Sequence, residues 1–165
     1  MSNNLIWDYM PSRPRLDPAA RLALSSFVKL RRAVNSLTPR LNPVLQKDFR
    51  LTESQFGVLE ALLHLGTMHQ ARLCDKLLVS GSNLTTVIDN LENRGLVRRA
   101  ADPEDRRTWM VQLTDRGREL ITRAFPPHAA RVTALLGTLT ALEQKQLGQL
   151  CRKLGLGVRQ PGAVG

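Results

Sequence analysis

The side chains most able to act on another molecule are concentrated between Ser80 and Asn93, in the run SGSNLTTVIDNLEN. Leu84, Val87, Ile88 and Leu91 recur at the spacing of one helix edge and so face a core. Ser82, Asn83, Thr85, Thr86, Asp89, Asn90 and Asn93 are then turned outward. Surface helices ordinarily carry Glu, Lys, Gln and Arg, because Ser, Thr and Asn are poor helix formers. An outward face of short hydroxyls and amides, with one acid and no base, is suited to hydrogen bonding with base edges in a DNA groove. The free amides at the helix N-terminus suit a phosphate. The bland alternative is a solvated helix face, and the flanking segments argue against it.

The second chemically suggestive run is Asp102-Pro103-Glu104-Asp105-Arg106-Arg107. Asp-Pro is turn chemistry. Arg106 and Arg107 fall at or beside the tip, where a guanidinium can enter a narrow minor groove and meet its negative potential. Asp105 is near enough to hold one of them in place. Leu96–Arg99 and Thr108–Leu113 flank the turn as paired strands, with Trp109, Val111 and Leu113 alternating with Met110 and Gln112. A charged hairpin loop is common; its position behind the polar helix gives it meaning.

These segments need elements to hold them. Residues 1–16 are polar and Pro-containing and read as a tail or arm. Asp17-Pro18 opens a helix with a broad apolar stripe (Leu22, Leu24, Phe27, Val28, Leu30, Val34, Leu37, Leu41), which Pro39 and Pro43 should kink or divide. Thr52-Glu53-Ser54-Gln55 is a capping box for a helix ending near Gly66. A shorter helix from about His69 to Leu78 turns Leu73, Cys74, Leu77 and Leu78 inward. Ser80 caps the polar helix and Gly95 stops it. Thr114-Asp115 starts a further helix, bent at Phe125-Pro126-Pro127, and Thr140-x-x-Glu143 opens a last helix stopped near Gly155. The fold class is mainly α with a small β-wing. One domain is expected from 165 residues.

Net charge is +10, which fits a polyanionic partner. The excess lies outside the polar helix and hairpin: residues 65–120 carry nine bases against eight acids. Bases there act by placement. Cys74 and Cys151 have no CxxC spacing, so neither a disulfide framework nor a zinc knuckle is suggested. His64, His69 and His128 show no metal-ligand spacing either. The N-terminus lacks a signal-peptide pattern and no span approaches the roughly 18 apolar residues of a membrane helix, so a cytoplasmic protein with no membrane partner is expected. No Gly-rich phosphate loop or nucleophile–base arrangement is present, which leaves no catalytic residues, no cofactor and no metal to nominate.

The stretches LTESQFGVLEALLHLG, QARLCDKLLVSGSNLTTVIDNLENRGLVRR and DPEDRRTWMVQLTDRGRELI resemble the multiple-antibiotic-resistance regulator (MarR) family of bacterial repressors. DPEDRR followed by LTDRGREL is far more specific than a bare helix-turn-helix, and the capped flanking helices extend the resemblance over most of the chain. It implies a winged helix-turn-helix at 51–115. It also implies N- and C-terminal dimerisation helices at 17–50 and 116–165, in a triangular homodimer on a pseudo-palindromic duplex operator. Release by a small phenolic or aromatic ligand is implied as well. The LLVSGSN entry and the DPEDRR wing look closest to the branch repressing quinone and catechol detoxification genes. The family's Asp-x-Arg wing motif falls on Asp105 and Arg107, the aspartate orienting the arginine. Where relatives often carry Ser or Thr this chain has His69, which leaves Gln70 as the better phosphate contact.

The expected contacts are therefore Ser82, Asn83, Thr85, Thr86 and Asn90 to base edges, Gln70, Ser80, Arg94 and Arg99 to the DNA backbone, and Asp105, Arg106 and Arg107 at the wing. The effector site is unassigned by the sequence. Three alternatives stand beside this reading. One is a low-specificity architectural DNA binder using the basic arms. Another is a redox-controlled regulator using Cys74 or Cys151. The third is a protein-interaction module, which the near-neutral head would suit.

Overall fold

The computed structural model describes residues 16–102 and 108–158. The chain divides after Arg40 into two compact units. Helix α1 (Pro18–Phe49) starts where expected, with Asp17 Oδ1 accepting the Ala20 amide at 2.8 Å. It continues through Pro39 and Pro43 without being divided. The two prolines are four residues apart, so they withhold their amides on one face, and the rest of the hydrogen-bond ladder carries the chain on.

In the second unit the order is α2 (Glu53–Leu65), β1 (Met68–His69), α3 (Gln70–Leu77), α4 (Gly81–Asn93), β2 (Val97–Ala101), β3 (Trp109–Leu113), α5 (Asp115–Leu136) and α6 (Ala141–Gly157). Local chemistry sets most of these bounds. Thr52 and Gln55 form the reciprocal capping box of α2, and Thr140 and Glu143 form that of α6. Hydrogen bonds from the Thr140 backbone amide and hydroxyl hold the exposed Glu143 carboxyl below its ordinary pKa. Ser80 Oγ accepts the Asn83 amide at the start of α4, and Gly95 leaves that helix at φ 66°.

The sheet is antiparallel in the order β1-β3-β2, with Val97 opposite Leu113, Arg99 opposite Val111 and Met68 also opposite Val111. Strand β1 was not expected: two residues cannot show a period, and only the edge of β3 defines them. One apolar core holds the unit together. It takes Phe56, Leu59 and Leu62 from α2, Leu73 from α3, Leu84, Ile88 and Leu91 from α4, Val97 and Val111 from the sheet, and Ile121 and Ala124 from α5.

Three expectations need correction. Leu78 is 61% exposed, because it takes the left-handed turn that ends α3 (φ 56°) instead of that helix's inner face. Trp109 begins β3 beyond the core and is 52% exposed, although Val111 on the same strand face is buried. Helix α6 passes Gly155 and ends at Gly157, since Gly only weakens a helix interior and does not forbid it.

The junction of sheet and α5 is closely packed. The Thr114 amide donates to the Leu96 carbonyl at 3.1 Å, its hydroxyl donates to the Gly95 carbonyl at 2.7 Å, and its Oγ1 accepts the Gly117 amide at 3.0 Å. A Cβ on Gly117 would lie 1.8 Å from the Leu96 carbonyl oxygen. Gly117→Ala must therefore push α5 off the sheet. It is expected to cost about 2–3 kcal/mol, the upper range for overpacking, read as a lowered midpoint in a thermal or urea melt. An unchanged midpoint would mean that the junction is not close-packed.

Candidate nucleic-acid interface

Helix α4 buries Leu84, Ile88 and Leu91 and half-buries Val87, leaving Ser82, Thr85, Thr86, Asp89 and Asn90 exposed. The exposed polar groups are partly satisfied along their own helix. Thr85 Oγ1 donates to the Gly81 carbonyl at 2.9 Å, Thr86 Oγ1 to the Ser82 carbonyl at 3.3 Å, and Asn90 Nδ2 to the Thr86 carbonyl at 2.9 Å. Each hydroxyl keeps acceptor capacity, and Asn90 keeps its carbonyl oxygen and a second amide hydrogen. Gln70, the first residue of α3, donates through Nε2 to Thr85 Oγ1 at 2.7 Å. The start of α3 is thus locked to the exposed face of α4.

Asn83 stands apart from this row. It is exposed, but it borders a cavity on the flank of α4, together with Glu53 and Val87. One residue step rotates a helix by about 100°, so an outward position on a wheel can still lie on either side of the outermost line.

Two arginines expected at DNA phosphates are occupied within the fold. Arg94 caps the end of α1, its Nη1 donating to the Arg50 carbonyl at 2.8 Å and to Gln55 Oε1 at 3.2 Å, and its Nη2 to the Phe49 carbonyl at 3.5 Å. Burial, with Arg116 and Arg50 nearby, lowers its pKa from the ordinary value. Arg99 bridges β2 to α4, with Nη1 to Glu92 Oε2 at 2.5 Å and Nη2 to Asp89 Oδ1 at 2.6 Å. Burial alone would lower the Arg99 pKa, but the two carboxylates raise it overall. Its neighbour Arg98 is exposed. Adjacent strand residues point to opposite faces, so only one of this pair could face outward, and that alternation was the signal for Arg98.

The hairpin is anchored at its foot by His69 Nε2 and Asp102 Oδ2, 3.1 Å apart, a pairing that links β1 to the end of β2. An open groove of about 990 Å³ runs between the starts of α3 and α4 and this foot, lined by Gln70, Arg72, Thr85, Thr108 and Trp109 among others. Arg72 and Trp109 on this surface were not anticipated. Asp105, Arg106 and Arg107 lie outside the described residues.

The cavity beside Asn83 has a volume of about 340 Å³. Its walls come from Phe56 and Gly57 of α2, Leu77, Leu84 and Val87, and His128 of α5. The His128 and Phe56 rings are stacked at a tilt with centroids 4.3 Å apart. Helix α4 therefore carries DNA-type chemistry on its exposed side and forms a cavity wall on another. Among the described residues no three His, Cys, Asp or Glu side chains are grouped to hold a metal ion, and no helix is long and apolar enough to cross a membrane. Cys74 is half-buried and Cys151 exposed, both as free thiols.

This architecture defines a winged helix-turn-helix DNA-binding regulator, and comparison with known proteins agrees. The profile described as the MarR family matches residues 51–108. The HTH-type transcriptional regulator MhqR of Bacillus subtilis is 33% identical over 138 residues, covering 84% of this chain and 94% of its own. The MarR family transcriptional regulator Sco3205 of Streptomyces coelicolor, solved in complex with DNA, superimposes with a TM-score of 0.77 at 27% identity, over 92% of this chain and 94% of that one. BpsR of Bordetella bronchiseptica, whose DNA binding is regulated by 6-hydroxynicotinic acid, superimposes at 0.72 with 29% identity, over 78% of this chain and 91% of its own. The chain belongs to the MarR family of DNA-binding transcriptional regulators, which are not enzymes.

Arg94 distinguishes a structural cation from a DNA-contacting one. Arg94→Met is expected to cost about 1–2 kcal/mol of stability through lost charged hydrogen bonds, and to leave the salt dependence of DNA binding unchanged. A slope in log K against log salt that is shallower by about 0.9 would instead count one lost phosphate contact.

Proposed function

We propose that the protein is a homodimeric, sequence-specific repressor that reads a pseudo-palindromic DNA operator and is released by a small aromatic or phenolic ligand. The observation that carries this reading is the exposed row of Ser82, Thr85, Thr86 and Asn90, held by Gln70 and flanked by a helix N-terminus. In this reading Thr85, Thr86 and Asn90 touch base edges. Ser82, Ser80, Gln70 and Arg98 sit toward the backbone, and Asn83 acts at the flank. Arg107, oriented by Asp105 and with Arg106 beside it, enters the minor groove. Arg94 and Arg99 position the reading helix and do not touch DNA.

Dimerisation is supported by what α6 leaves uncovered. None of its described residues is buried, and Leu142, Leu147, Leu150, Leu154 and Leu156 are exposed. Leucines in such number on one exposed helix mark an interaction surface, and a second copy covers it in two-fold fashion. Residues 17–50 and 116–165 serve as the dimerisation region and 51–115 as the DNA-binding region. Ligand control is supported by the cavity, whose size is in the range of small-molecule sites. Leu84 and Val87 belong both to this wall and to the reading helix, so an occupant bears directly on the placement of α4. The molecule then works in the cytoplasm, on the nucleoid when DNA-bound.

Selection of bound duplexes from a random pool at about 150 mM salt tests the reading, since that salt suppresses purely electrostatic binding. An inverted repeat is expected, its half-sites roughly ten base pairs apart. A featureless pool would replace this reading with a low-specificity architectural binder. Asn90→Ala is expected to alter the selected half-site. Arg107→Ala is expected to weaken operator binding by about 1–3 kcal/mol, measured by fluorescence anisotropy. In sedimentation, Leu150→Asp combined with Leu154→Asp is expected to yield monomer and to abolish tight operator binding.

A further inference from the structure

The cavity beside α4 has a lopsided charge. Its lining includes two carboxylates, Glu53 and the half-buried Glu60, and neither Lys nor Arg. The other polar side chains on it are Ser54, Asn83 and His128. The rest is apolar, with the Phe56 ring lying against the His128 ring. His128 Nδ1 is buried and has no hydrogen-bond partner among the described residues.

We propose that this cavity selects uncharged aromatic ligands and rejects aromatic carboxylates of the same size. The inference rests on the reading of the cavity as the effector site, and narrows the ligand to one chemical class. Aromatic shape is set by the Phe56–His128 wall and the aliphatic groups of Leu77, Leu84 and Val87. Exclusion of anions is set by Glu60 first, because it is the less exposed carboxylate and so the less screened, and by Glu53 at the mouth. A ligand carboxylate would find no cation to pair with and two like charges across a small space.

The decisive comparison keeps the phenol ring and exchanges a neutral hydroxymethyl group for a carboxylate. Binding of para-hydroxybenzyl alcohol and of para-hydroxybenzoate is measured by calorimetry on the full-length protein near neutral pH, with operator release followed in parallel. The alcohol is expected to bind at least about tenfold more tightly, on the scale of one like charge at a few ångströms in a partly screened site. Glu60→Gln is expected to narrow that gap by about tenfold, chiefly by improving the benzoate. A fluorescence melt of each variant confirms that it is folded. Tighter binding of the benzoate, with operator release, would overturn the charge selection and leave the effector reading standing. Binding of neither compound, or binding indifferent to Glu60→Gln and to a cavity-filling Val87→Trp, would overturn both.

Discussion

Burial of one edge of α4 governs the rest of this structure. Leu84, Ile88 and Leu91 are all but inaccessible, each contributing on the order of 2 kcal/mol of transfer free energy. They can be buried together in only one rotation of the helix about its axis. That rotation presents Ser82, Thr85, Thr86 and Asn90 to solvent, sets Asn83 and Val87 against the cavity, and brings Asp89 and Glu92 to Arg99. The polar surface is therefore a consequence of the apolar one. A helix of poor intrinsic formers is held by tertiary packing instead of propensity.

Around that helix the fold spends its charged groups on geometry. Arg94 terminates α1 by taking its last carbonyls, which a helix otherwise leaves unsatisfied. Arg99 ties the hairpin to α4, and His69 with Asp102 ties the hairpin's foot to β1. Gly117 permits α5 to begin in contact with the Leu96 carbonyl. The result is that α4 is braced from three sides: by α3 through Gln70, by the sheet through Arg99, and by the core through its leucines. Of these cations Arg99 is neutralised by two carboxylates, while Arg94 is held by neutral carbonyls and an amide.

The same bracing explains how a ligand could act at a distance from DNA. The cavity and the exposed polar row are adjoining faces of one helix. No long relay is needed: an occupant that displaces Leu84 or Val87 displaces the residues beside them on the same helix. A close-packed interior transmits such a shift instead of absorbing it.

Local signals in the sequence determined the caps and the helix starts. Thr52 with Gln55, Ser80, Thr114, and Thr140 with Glu143 do what their spacing requires, because capping is settled within four residues. The buried edge of α4 and the hairpin were legible for the same reason, each being a short-period pattern. Tertiary structure decided what depends on partners distant in sequence. It drew β1 out of two unpatterned residues through β3, left Trp109 and Leu78 exposed despite their apolar type, and carried α1 and α5 past their prolines. It also turned Arg94 and Arg99 inward, since a guanidinium takes whichever oxygens the fold places beside it, 44 residues away in one case and 10 in the other. The cavity belongs to this second class. Its wall comes from five helices, and no run of sequence short enough to show a pattern contains it.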